Sequence, residues 1–205
     1  MELKFEKGRE KMNYYIADLH IGHKNILRLS NRPFKTMDQM IEKIIENWNK
    51  TVKAEDDVYI LGDVFYRYDG NLKELLQKLN GHKHLIIGNH DNLKDQRLKQ
   101  LFVEIVDYKE VSDNYNGIHH NLCLSHYPIL MWNKQHKKNI LLYGHTHMSK
   151  EDELFQDAIK TLNSYFEEET SLGRTDCPQC LAINVGCMFP YINYTPRTLK
   201  ELLQK

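Results

Sequence analysis

At 205 residues, the chain has the length of one domain whose core is large enough to hold a rigid site. Its 28 basic residues balance 28 acidic ones, so no global field draws it to nucleic acid or an anionic membrane, and no apolar run reaches the length of a membrane-spanning helix. Four cysteines make no disulfide framework at this size, and Met1-Glu2-Leu3-Lys4-Phe5-Glu6-Lys7 lacks the apolar stretch of a signal peptide, so a soluble cytoplasmic protein is expected.

Met12-Asn13-Tyr14-Tyr15-Ile16-Ala17 reads as a strand running into Asp18-Leu19-His20, where a period of two puts Asp18 and His20 on one side. The pair faces one ion, or else Asp18 caps a turn and His20 is solvated. His23 lies at the surface or lines the same cleft. In the loop over residues 28–35, Arg28 and Arg32 are candidates to meet an anionic ligand. Residues 36–50 place Met37, Met40, Ile41, Ile44, Ile45 and Trp48 at three- and four-residue spacings, one apolar helix face. Asp57-Val58-Tyr59-Ile60-Leu61 is a second strand ending in Gly62-Asp63, with Arg67 four residues on as a candidate substrate contact. A short helix over residues 71–79 follows, closed by Asn80-Gly81.

His84-Leu85-Ile86-Ile87-Gly88-Asn89-His90-Asp91 is an apolar run that breaks at a glycine and then presents amide, imidazole and carboxylate together. His82 and His84 are expected to be solvated or at a strand edge. A charged helix to about residue 102 precedes two strand-like runs, 103–111 and 118–124, joined as a hairpin through Asp113-Asn114-Tyr115-Asn116-Gly117. The second arm ends in Ser125-His126-Tyr127-Pro128, and Ile140-Leu141-Leu142-Tyr143 ends in Gly144-His145-Thr146-His147. The strand-tip set is therefore Asp18, His20, Asp63, Asn89, His90, His126, His145 and His147. Their mixed oxygen and nitrogen donors suit Mn, Fe, Zn or Ni, and their number suits two ions about 3.5–4 Å apart, as in two-metal hydrolytic sites.

Asp18-x-His20, Gly62-Asp63, Gly88-Asn89-His90-Asp91, His126 and Gly144-His145-Thr146-His147 together resemble the five signature blocks of the calcineurin-like metallophosphoesterases, and the spacing around Asp18 resembles their small bacterial and bacteriophage branch. The resemblance implies an α/β fold of two packed mixed sheets flanked by helices, a four-layer sandwich with its site at the strand ends. It implies two divalent ions, manganese first among the candidates, one held by Asp18, His20, Asp63 and His147 and the other by Asp63, Asn89, His126 and His145. It further implies that His90 protonates the leaving oxygen, that Asp91 orients His90 through its other ring nitrogen, and that a bridging hydroxide attacks phosphorus. Phosphodiester cleavage of a small nucleotide-like substrate is favoured, with monoesters as further substrates and a non-catalytic scaffold on the same fold as the alternative. Tyr66-Arg67 lacks the acidic neighbour found in the phosphoprotein phosphatases, so protein phosphatase activity is not expected.

Residues 149–179 read as a polar insert, helical over 151–166, that overhangs the site or mediates contacts, self-association included. The end of the insert runs into Cys177-Pro178-Gln179-Cys180. Without a second pair this motif is either a zinc clip completed by Cys187 or a partner, or a set of unligated thiols. Residues 180–186 read as the last strand, and residues 195–203 as a capped terminal helix.

Overall fold

The computed structural model describes residues 9–66, 70–92, 94, 99–173 and 179–205. One sheet is built from β1 (Asn13–Ile16), β2 (Asp57–Leu61), β3 (His82–Ile86) and β4 (Glu104–Val106), in that order and parallel throughout. The first three strands are buried along nearly their whole length, as parallel strands covered on both faces must be. The second sheet, β5 (Tyr108–Tyr115), β6 (Ile118–Ser125), β7 (Ile140–Tyr143) and β8 (Ala182–Asn184), is mixed: β5 runs antiparallel to β6, and β6, β7 and β8 run parallel.

Alternation along the second sheet sorts its residues into two cores. Leu122, Leu124, Ile140, Leu142 and Ile183 join the main core shared with the first sheet. Cys123, Leu141, Tyr143 and Ala182 face the other way, against Ile159, Phe155, Leu162 and Phe166. Those four belong to the long helix Lys150–Ser171, which runs five residues past the expected end and packs along the second sheet. Helix α1 (Ile26–Leu29) lies in the loop after β1. Helix α2 (Met37–Thr51) begins where the Thr36 side chain accepts a hydrogen bond from Gln39 N and buries Met40, Ile41, Ile44 and Trp48. Helix α3 (Leu72–Gln77) is capped by Asn71; the long helix is α4, and α5 (Leu199–Leu203) closes the chain with a Thr198/Glu201 capping box. No helix of the described residues is long and apolar enough to cross a membrane.

The expected arm over residues 103–111 divides at Asp107. Its first part joins the parallel sheet as β4 and its second joins the mixed sheet as β5. The hairpin turn is tighter than the sequence string implied: Asn116 and Gly117, at φ 53° and 75°, make the two-residue turn, and the strands run up to it. His84 is buried rather than solvated, its ring nitrogens 2.6 Å from Glu104 Oε1 and 3.1 Å from Asp57 Oδ1. The charged segment after Asp91 falls largely outside the described residues. At the strand tips the two sheets are joined: Ala17 N donates to Val185 O at 2.8 Å and Cys187 N donates to Ala17 O at 2.9 Å, bridging Ala17 to Gly186.

Candidate metal centre

Five loops converge at that seam, and their backbone is unusual. Asp18, His20, Asp63, His145 and His147 all occupy the left-handed region, at φ 59°, 51°, 53°, 70° and 52°. Outside glycine, that region is populated chiefly by Asn, Asp and His, and holding such residues there costs about 1–3 kcal/mol each unless the surroundings enforce it. Here the result is a sharp bend at three of the five strand tips, after β1, β2 and β7, that turns those side chains toward one pit. The glycines of the motifs supply clearance. A Cβ on Gly62, itself at φ 82°, would lie 2.2 Å from His126 Nδ1, and one on Gly88 would lie 2.3 Å from Asp63 Oδ1.

Three groups of ligand-type atoms meet in the pit, and one of them, His20, Asp63 and His90, shares a residue with each of the other two. In Asp18, His20 and His147 the candidate donor atoms lie within 4.8 Å of one another, and the same holds for Asp63, His126 and His145. Asp63 stands between them, with Oδ2 3.4 Å from His20 Nε2 and Oδ1 3.6 Å from His126 Nε2. Asn89 Oδ1 lies 3.1 Å from His126 Nε2 and 3.0 Å from His145 Nδ1. His126 Nδ1 must carry a proton, because it donates to Leu61 O at 2.8 Å; in a neutral ring Nε2 is then a lone pair aimed at two oxygens. His20 Nε2 and His147 Nε2 approach to 2.9 Å in the same donor-poor space. Converging lone pairs and carboxylate oxygens of this kind fit a divalent cation.

The local field agrees. Burial, reinforced by Asp63, pushes the Asp18 carboxyl well above the usual range, although His145 N donates to both its oxygens at 3.0 and 3.1 Å. Burial lowers the His20 imidazole, with His147 adding to the effect, and lowers His147 to about 3, with Arg32 adding to it. His126 is also lowered by burial, against the pull of Asp63. Burial thus favours neutral imidazoles at His20, His126 and His147, the form that binds a metal, and a cation would offset the charge of the buried Asp18 carboxylate.

The structure brings Asp18, His20, Asp63, Asn89, His90, His126, His145 and His147 together. His23 lines the same cleft, its ring stacked on Tyr66 at 4.7 Å and edge-on to His20 at 5.7 Å. Asp91 differs from expectation. Its Oδ2 accepts from Asp63 N and Gly88 N at 2.8 and 2.9 Å and its Oδ1 from Val64 N at 2.9 Å, so it clamps two ligand loops instead of orienting the His90 ring. Burial raises it to about 6, against the pull of those three bonds. Arg32 is not placed to meet substrate either. It is buried and aims inward, donating to Asp18 O at 2.7 Å and Leu19 O at 2.8 Å. Arg67 and Cys177 lie outside the described residues. Cys187 is buried in the main core with Sγ 3.1 Å from Asp18 O, whereas Cys180 sits in the core under α4; among the described residues no metal-capable group contains a cysteine.

Three neighbours of the site escaped the sequence reading. Ser30 Oγ is 3.1 Å from His147 Nδ1, the half-exposed Tyr127 ring packs edge-on to His145 at 4.7 Å, and Tyr66 meets His90 at 5.0 Å. Tyr66 and Tyr127 adjoin motif residues, which was the available signal; Ser30 had none.

A family model for calcineurin-like phosphoesterases matches residues 14–166. The chain belongs to that family. Among similar proteins, the uncharacterized protein MJ1445 of Methanocaldococcus jannaschii is 41% identical over 85 residues, covering 40% of this chain and 48% of that protein, so the match spans about half of the relative's length. The Gene 66 protein of Mycobacterium phage D29 is 31% identical over 160 residues, covering 65% of this chain and 77% of the phage protein, in keeping with a small phage-type branch of the calcineurin-like phosphoesterases. The solved structure of the Aquifex aeolicus protein AQ665, described as of unknown function, superposes with a TM-score of 0.64 at 26% identity, covering 95% of this chain and 99% of that one.

Proposed function

We propose that this calcineurin-like phosphoesterase family member is a dinuclear metal-dependent hydrolase of phosphodiester bonds in a small, nucleotide-like substrate, with phosphomonoesters as further substrates. The observation that carries the proposal is the position of Asp63, one oxygen toward His20 and the other toward His126. Asp18, His20, Asp63 and His147 would hold one ion, and Asp63, Asn89, His126 and His145 the other, with manganese the first candidate and Fe, Zn and Ni the others. When bound, two such ions supply the Lewis acidity that activates water near neutral pH and balances charge on the phosphoryl oxygens.

The chain's own groups do the rest. His90, with its side chain about one-third exposed at 32%, stands at the mouth of the pit, where its ring can hand a proton to the departing ester oxygen. Its backbone N–H donates to Asp63 Oδ1 at 2.9 Å, and Asp91 holds the same loop from below, so the proton donor and the shared ligand move as one piece. Beside His145 and His147 opens a cleft of about 360 Å³ whose walls mix apolar Leu29, Pro33, Met148 and Met188 with the neutral polar groups of Ser30, Asn31, Thr146 and Ser149 and the Tyr194 ring. Among the described residues that line it there is no lysine or arginine, and Glu151 is the one acidic group. That lining supports an uncharged organic ester group in the cleft rather than a further phosphate.

The test is hydrolysis of paired aryl phosphodiester and phosphomonoester substrates by metal-stripped protein reloaded with Mn, Ni, Zn or Mg. Diester turnover is expected with Mn, abolished in Asp63→Ala and reduced by about 10²–10⁴ in His90→Ala. Folded protein that turns over neither ester with any of these metals would overturn the proposal.

A further inference from the structure

Helix α4 reaches back into the metal centre through one buried carboxylate. Asp152, in its first turn, is buried, and its Oδ1 accepts three hydrogen bonds: from Tyr143 Oη at 2.8 Å, Thr146 Oγ1 at 2.8 Å and Asn184 Nδ2 at 2.7 Å. An oxygen with three donors on it is a strong acceptor and a fixed point. The network is closed on both sides. Asn184 Nδ2 also donates to Thr146 Oγ1 at 3.0 Å, Asn184 Oδ1 accepts from Gly186 N at 2.9 Å, and Gln156 Nε2 donates to Tyr143 Oη at 2.7 Å.

Thr146 is the residue between His145 and His147, which belong to different ligand groups, and both histidines are in the left-handed region. The Thr146 side chain is buried with its hydroxyl satisfied, and the tripeptide is tied besides by His145 N to Asp18 and by Thr146 N to Gly144 O. We propose that Asp152 is a positioning residue for both metal sites: by gripping the Thr146 hydroxyl it fixes the aim of His145 and His147 together. This rests on the two-ion reading above. The helix expected to overhang the site or mediate contacts is then a structural part of the centre.

The test is divalent ion binding by the full-length protein, followed by calorimetric titration with Mn and by the visible spectrum of the Co-loaded form, with thermal melting of the metal-free protein alongside. Thr146→Val, which removes only the hydroxyl link, and Asp152→Ala are each expected to weaken binding at both sites by about 10–100-fold and to change the Co spectrum. In the double variant the losses should not add, because both changes cut one connection. Asp152→Asn keeps an acceptor at Oδ1 and should recover part of the affinity, and Glu153→Gln, on the exposed side of the same turn, should leave it unchanged. A folded Thr146→Val protein with wild-type affinity at both sites and an unchanged Co spectrum would overturn the positioning role while leaving the two-ion reading standing, even if its melting temperature fell. Wild-type protein that binds no divalent ion would overturn both.

Discussion

Replacing Gly88 with alanine is expected to disable the centre without altering a ligand. Gly88 does not occupy the left-handed region, so the effect is one of clearance. The new Cβ would stand 2.3 Å from Asp63 Oδ1 and 2.4 Å from Asp63 N, where ordinary contact begins at 3.4 Å; Asp63 must therefore retreat by roughly 1 Å. It has nowhere easy to go. Its side chain is buried, its N–H is held by Asp91 Oδ2 at 2.8 Å, and its Oδ1 accepts from His90 N. Relief of the clash should lower stability by about 1–3 kcal/mol. The displacement of a shared ligand should cost roughly 100-fold in turnover, the usual penalty for a 1 Å error in a reacting geometry. Urea denaturation, bound-metal analysis and ester hydrolysis give the three readouts. Gly117→Ala is the control: nothing lies within 4 Å of its Cβ, so its left-handed φ of 75° should make it destabilising but fully active. If Gly88→Ala binds two ions and turns over substrate like the wild type, the clearance argument is wrong.

Asp91→Ala strands three backbone N–H groups, those of Gly88, Asp63 and Val64, and should cost on the order of 3–5 kcal/mol by denaturant titration; Asp91→Asn, which keeps one acceptor, should cost less, and equal losses would count against the clamp. Arg32→Met leaves Leu19 O without its donor and Asp18 O with only the weak Cys187 thiol, so stability should fall by about 1–3 kcal/mol. With metal saturating, the KM of Arg32→Met for a model ester should stay within about twofold, whereas a large rise in KM would return Arg32 to substrate binding. Asp56 carries an acid-stability prediction. Burial would raise its pKa, but the Arg9 guanidinium at 2.9 Å and the N–H groups of Lys53 and Met12 outweigh burial and hold it below the usual range. A lowered folded pKa gives stability that is fully present above the unfolded value of about 3.9 and is lost as pH falls through the folded one. Asp56→Asn should therefore flatten the acid limb of the stability curve, and an unchanged limb would refute the assignment.

The convergence of the strand-tip groups was legible because each block couples an apolar run to polar groups in a few consecutive residues, and in three of them a glycine marks the break. Nothing in that local signal reports direction. Arg32 reads as a loop cation with a free choice of partner, and only the fold brings the carbonyls of Asp18 and Leu19, 14 and 13 residues earlier, within reach of its guanidinium. Asp152 reads as one more acid in the first turn of a polar helix, where an acid is normal at the dipole's positive end, so its burial against Tyr143 and Asn184 leaves no trace in the pattern. The division of residues 103–111 between two sheets was hidden for a related reason. Strand propensity continues across Asp107, and the change of partner is decided by pairing to β3 on one side and β6 on the other.

The left-handed backbone at five ligand positions also sets an alphabet for change. Asp, Asn and His tolerate that conformation, while β-branched and bulky residues are outliers there. Glycine apart, substitutions that keep the loops intact are therefore drawn from three letters, all of them oxygen or nitrogen donors. Exchange among those letters keeps an oxygen and nitrogen donor set, whereas a thiolate-rich centre would require the loops themselves to be rebuilt.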